Sequence, residues 1–134
     1  MISDLLIVEL KKRFPDRFFA KSAPPDPVAT FSAAHAEVGE LRIYDDGGEA
    51  RVEIGRITHG HFGCWDESLT EVERERDIVD DVVDFIEPVF DNKVIFFSFI
   101  AGRGGGWQML KPDGSRHEKS SFKKYFMWSG PLPD

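Results

Sequence analysis

The chain is poor in the features that would place it quickly. A single cysteine, Cys64, excludes an internal disulfide framework and fits a reducing compartment. No basic segment followed by an apolar core opens the sequence, so no signal peptide is expected. The longest apolar run, Val94 to Ala101, is interrupted by Ser98 and is too short to span a bilayer. These absences predict a cytoplasmic protein without a membrane segment. Repeats, low-complexity tracts and a convincing linker are all missing, so residues 1–134 read as one domain. The CxxC, HExxH, GxGxxG and GxxxxGK[ST] spacings are missing too, which removes the motif-based routes to zinc, dinucleotide or nucleoside triphosphate chemistry.

Acidic residues are plentiful but unevenly placed. Residues 37–91 hold seventeen acids against five bases, a local net of −12, whereas 101–134 hold six bases against three acids. Such a surface repels phosphate backbones over most of its extent, so nucleic-acid binding is disfavoured. An acidic face suits a basic protein partner, or serves solubility alone.

Patterning predicts the elements. Ser3 can cap a helix from Asp4 to about Phe14, with Leu6, Leu10 and Phe14 at helical spacing and Pro15 ending it. Leu41 and Ile43, then Val52 and Ile54, alternate around Asp45-Asp46-Gly47-Gly48, which reads as a β-hairpin. Ser68 with Glu71, or Thr70 with Glu73, has capping-box spacing and starts a second helix. That helix carries an apolar stripe from Val72 to Ile86, opposes it with Asp77, Asp81, Asp84 and Glu87, and is expected to stop or kink before Pro88. Val94–Ile100 is apolar on both alternating faces, as central strands are. A glycine loop, Gly102 to Gly106, then leads into a second hairpin through Trp107, and the aromatic tail fits either helix or strand. The expected class is α+β, an antiparallel β-sheet built from two hairpins and packed by an N-terminal helix and a central acidic helix.

The densest chemistry lies in Gly55-Arg56-Ile57-Thr58-His59-Gly60-His61-Phe62-Gly63-Cys64-Trp65-Asp66. Residues two apart on a strand share a face, so His59 and His61 could offer two nitrogens to a divalent metal such as zinc. Cys64, Asp66 or His35 would have to complete the set, and a metal-bound water would then supply a hydrolytic nucleophile. Against that stands a structural reading. A bulge at Gly55 would turn Val52, Ile54, Ile57, His59 and His61 to the inner face, where the imidazoles hydrogen-bond within a partly buried site. A third reading gives the histidines a ligand- or partner-binding role. Cys64 has no nameable oxyanion donors, and the Asp77, Asp80, Asp81, Asp84 group reads as a solvated face, so no catalytic residue is assigned and no cofactor is required. The glycine loop reads as a hairpin tip at which Arg103 could make contacts.

Glu37-Val38-Gly39-Glu40, the acidic turn Asp45 to Gly48, Ile54 to Phe62, Val94 to Ser98 and Gly104-Gly105-Gly106-Trp107 together resemble small bacterial α+β proteins of unknown or toxin-immunity type, over residues 37–110. The resemblance implies a stoichiometric inhibitor whose acids face a basic active site. The sequence therefore predicts a non-enzymatic protein-binding domain, with Glu73, Asp77, Asp81 and Asp84 as the acidic face and Trp65 and Trp107 as aromatic anchors. The alternative is a metal-binding protein or metal-dependent hydrolase using His59, His61, Cys64 and Asp66. A homodimer closing over the Val94–Ile100 strand and the aromatic tail is also compatible.

Overall fold

The computed structural model describes residues 1–102, 104–116 and 119–133. Helix α1 spans Ile2–Arg13. Ile2, Leu6 and Leu10 form its buried face and Phe14 extends the four-residue step just beyond it. The expected Ser3 cap is corrected, because the helix begins two residues earlier, at Ile2, with Met1 at the cap position. Ser3 instead donates its backbone N–H and its hydroxyl to Asp45 Oδ2, at 3.1 and 2.6 Å. A residue that reads as a cap thus ties the helix to a strand end.

Five strands follow in an antiparallel sheet ordered as in the chain: β1 (Ala20–Lys21), β2 (Ala29–Phe31), β3 (Leu41–Asp45), β4 (Glu49–Ile54) and β5 (Thr58–Gly63). The β3–β4 hairpin turns at Asp45 to Gly48 as the pattern predicts, with Leu41 opposite Ile54 and Ile43 opposite Val52. That register buries Leu41, Ile43, Ala50, Val52 and Ile54 and leaves Arg42, Tyr44, Glu49, Arg51 and Glu53 on the outer face.

The bulged reading at Gly55 is overturned. The chain reverses there: Gly55 has a φ of +51°, Ile57 N–H donates to Ile54 O at 3.0 Å, and β5 runs back along β4 with Thr58 opposite Ile54. A glycine at positive φ serves a tight turn as readily as a bulge, and here it makes the turn. The inner residues of β5 are Thr58, Gly60 and Phe62, and both histidines point outward and are exposed.

Helix α2 spans Glu71–Phe90 and opens with the Thr70–Glu73 capping box, while Ser68 is engaged with Asp66 instead. It buries Ile78, Val79, Val82, Val83, Phe85, Ile86, Val89 and Phe90. Val72, read as part of that stripe, is 68% exposed, because the buried face of α2 begins only at Ile78. Pro88 does not stop the helix at Glu87. It lies in the last turn, where Asp91 N–H still reaches Glu87 O at 3.2 Å and the burial of Val89 and Phe90 holds the backbone helical.

A second antiparallel sheet has β6 (Val94–Phe99), β7 (Gly105–Met109), β8 (Lys123–Met127) and β9 (Gly130–Pro131) in the order β7-β6-β8-β9. The doubly apolar β6 is interior to this sheet, between β7 and β8, and the aromatic tail resolves as strand. The two predicted hairpins thus lie in separate sheets, and the class is α+β.

One core cluster joins both helices and both sheets. At its end Phe90 meets Phe14, Phe31 and Trp128 at centroid separations of 5.3, 5.0 and 5.4 Å, all edge-on. Such pairs add roughly 0.5–1.5 kcal/mol each beyond their buried area. No helix among the described residues is long and apolar enough to cross a membrane.

Candidate functional site

The β3–β4–β5 register sets polar side chains in rows across the outer face of the first sheet. Arg42, Glu53 and His59 stand opposite one another, and Tyr44, Arg51 and His61 form the next row. Arg51 is the hub: its Nε lies 3.0 Å from Asp46 Oδ2, its Nη1 2.8 Å from Glu53 Oε2, and its guanidinium stacks 4.1 Å over the Tyr44 ring. His59 and His61 meet edge to face with centroids 5.2 Å apart, and His61 Nδ1 lies 3.1 Å from Glu49 Oε1.

This geometry redraws the candidate metal ligands. Among the described residues, the ligand atoms that gather within 4.8 Å of one another belong to Asp46, Glu49 and His61. Cys64 lies beyond β5 against α2, with Sγ 4.0 Å from an Asp77 oxygen. Asp66 accepts from the Ser68 hydroxyl and backbone N–H at 2.6 and 3.0 Å, and these bonds hold its carboxyl below the usual range. His35 packs against Gly130 and accepts from Glu37 N–H at 3.1 Å. His61 is therefore shared between the two sets, while His59, Cys64 and Asp66 fall outside the observed one. Asp46, inside the turn, and Glu49, just after it, stand at no ligand spacing from His61 along the sequence. They become visible once β5 is paired back onto β4, with Glu49 opposite Gly63 and diagonal to His61.

The acids of α2 divide by what they touch. Glu73 accepts from Thr70 N–H at 2.9 Å, which lowers its carboxyl pKa. Asp84 and Glu87 pair with Arg13 at 3.3 and 2.9 Å. Asp77, Asp80 and Asp81 have no basic partner among the described residues. Desolvation against the helix surface, then the charges of Asp77, Asp84 and Asp80, raise the Asp81 pKa.

Aromatic residues bracket this face. Trp65, 80% exposed, lies over Gly63 beside Cys64, at the Asp77 end. Asp77, Asp81 and Phe85 follow one another at four-residue steps along α2. At the far end Trp107, 39% exposed, packs at a tilt against Phe85 with centroids 4.7 Å apart, and Phe62 supports Phe85 at 5.6 Å. Trp65 and Trp107 thus lie at the two ends of the acidic line. Arg103 lies outside the described residues. No protein-family model, curated protein or solved structure gives a significant match to this chain.

Proposed function

We propose that this chain is a non-enzymatic binding domain that presents the outer face of α2 to a basic protein partner, in the manner of an immunity-type inhibitor. The observation that carries this reading is the group Asp77, Asp80 and Asp81, unpaired within the described fold and bracketed by Trp65 and Trp107. Like charges one turn apart on a helix cost stability when unanswered. A lysine- or arginine-rich partner would remove that repulsion, and the tryptophans would supply the apolar contact that charge alone does not. Glu73 and Asp84 are engaged within the fold and stand at the margins of this surface.

The test is affinity capture from the source cells with wild type and with Asp77→Lys/Asp81→Lys, followed by purification of the captured protein and measurement of its Kd at rising salt. The expected result is a basic partner whose binding weakens with salt and is lost in the charge-reversed variant. Unchanged binding by that variant would sink the assignment of this face.

A second reading, a divalent-metal module, is favoured by the convergence of Asp46, Glu49 and His61, because zinc accepts imidazole and carboxylate together. Arg51 competes for the same Asp46 oxygens, which weighs against it.

A further inference from the structure

A cleft of about 360 Å³ opens where the two sheets meet, away from the acidic helix face. Glycines build its walls. A side chain at Gly55 would strike the Val38 carbonyl, and one at Gly105 would strike the carbonyls of Ile57 and Phe97. Backbone therefore packs directly on backbone, and Gly55 N–H donates to Glu40 O at 2.8 Å, carrying the β3–β4 pairing one step past Leu41 and Ile54.

Arg42, Arg56 and His59 line this cleft, with Glu53 as the carboxylate among its lining residues. Arg42 is held in place: Nη2 donates to Gly55 O at 2.9 Å and lies 3.4 Å from Glu53. Its Nε is buried without an acceptor among the described residues. That unmet N–H costs the fold free energy. Arg56 is exposed and makes no ion pair among the described residues. Glu53 also pairs with Arg51 at 2.8 Å, so two guanidiniums already answer its charge. An adjoining cleft of about 470 Å³ shares Arg42 and Arg56 and reaches Glu37 and Glu40.

We infer that the Arg42–Arg56–His59 cleft binds a small oxyanion, the carboxylate or phosphate group of a small molecule. A guanidinium offers parallel N–H donors that match such a group. The volume stands at the small end of ligand sites. Glu37, Glu40 and a net charge of −7 repel an extended polyanion, so the occupant is a small molecule rather than a nucleic-acid backbone.

The test is a backbone-amide NMR titration of the full chain at low salt with inorganic phosphate and, separately, with succinate. Saturable shifts are expected at Gly55, Arg56, His59 and Gly105, and the probe that produces them identifies the group as phosphoryl or carboxylate. Arg56→Gln should weaken that binding about tenfold, the loss of one charge-assisted hydrogen bond, with its melting temperature unchanged. Arg42→Lys, which keeps the charge and loses the fork, should weaken it as well. The proposal is overturned if neither probe shifts these amides at millimolar concentration, or if the shifts fall on Lys119, Lys123 and Lys124 instead. Binding that is indifferent to Arg56→Gln, or a single-stranded oligonucleotide that outcompetes both probes, would overturn it equally.

Discussion

Arg13, the last residue of α1, reaches across to α2 and places Nη1 2.9 Å from Glu87 Oε2, with Asp84 Oδ1 3.3 Å from the same nitrogen. One cation from the first helix thereby answers two acids at the C-terminal end of the second, where the helix dipole itself disfavours negative charge.

Arg13→Ala should therefore cost roughly 0.2–1 kcal/mol at low ionic strength and less at high salt, as exposed pairs do. Urea unfolding at two salt concentrations measures this. The same variant frees Asp84 and Glu87, so it should tighten binding of a basic partner, the opposite of its effect on stability.

Asp81 gives the pH prediction. Its folded pKa lies above the ordinary 3.8, so the folded chain holds more protons in the window just above that value, and stability falls as pH rises through it. Asp81→Asn is expected to stabilise the protein at neutral pH by on the order of 0.5 kcal/mol, a small effect because the side chain is exposed. The gain should fade as pH falls through and below 3.8, as Asp81 takes up its proton in the folded and then the unfolded chain. An Asn variant that is no more stable than wild type at pH 7 would contradict it.

Gly55→Ala should destabilise by roughly 2–4 kcal/mol, combining strain at positive φ with collision against the Val38 carbonyl. Gly48→Ala is the control. It meets open space without a positive φ, and its effect should stay within about 0.5 kcal/mol. Equal losses in the two variants would show that the turn tolerates a side chain.

Zinc addition after EDTA treatment tests the outer-face cluster. Arg51 holds Asp46 at 3.0 Å, so wild type should gain little in Tm, whereas Arg51→Ala frees Asp46 beside Glu49 and His61 and should gain more. His61→Ala in that background should abolish the gain and His59→Ala should not. A gain that depends on His59 and Cys64 would restore the ligand set read from sequence.

Local pattern made much of the fold legible. The Leu6–Leu10–Phe14 step, the Asp45–Gly48 turn, the Thr70–Glu73 box and the doubly apolar β6 each express a backbone requirement within a few residues. What escaped was set by tertiary context. Ser3 has the chemistry of a cap but finds Asp45, forty-two residues away. Pro88 survives inside α2 because Val89 and Phe90 are buried beyond it. Gly55 permits a turn or a bulge on equal terms, and that one choice decides which way His59 and His61 face. Trp65 and Trp107 were visible as residues, but their places at opposite ends of the α2 acids depend on the β5 and β7 registers.

The strand orders also bear on self-association. Sheets invite unwanted growth through their unpaired margins. Here the outer margins are β1 and β9, each two residues long, and β9 ends in Pro131, which has no N–H to offer. The other two margins, β5 and β7, lie against each other, with Gly105 pressed on the Ile57 carbonyl. The fold thus leaves little free backbone on which a misfolded copy could template, a safeguard that replacing Gly105 with any larger residue would prise open.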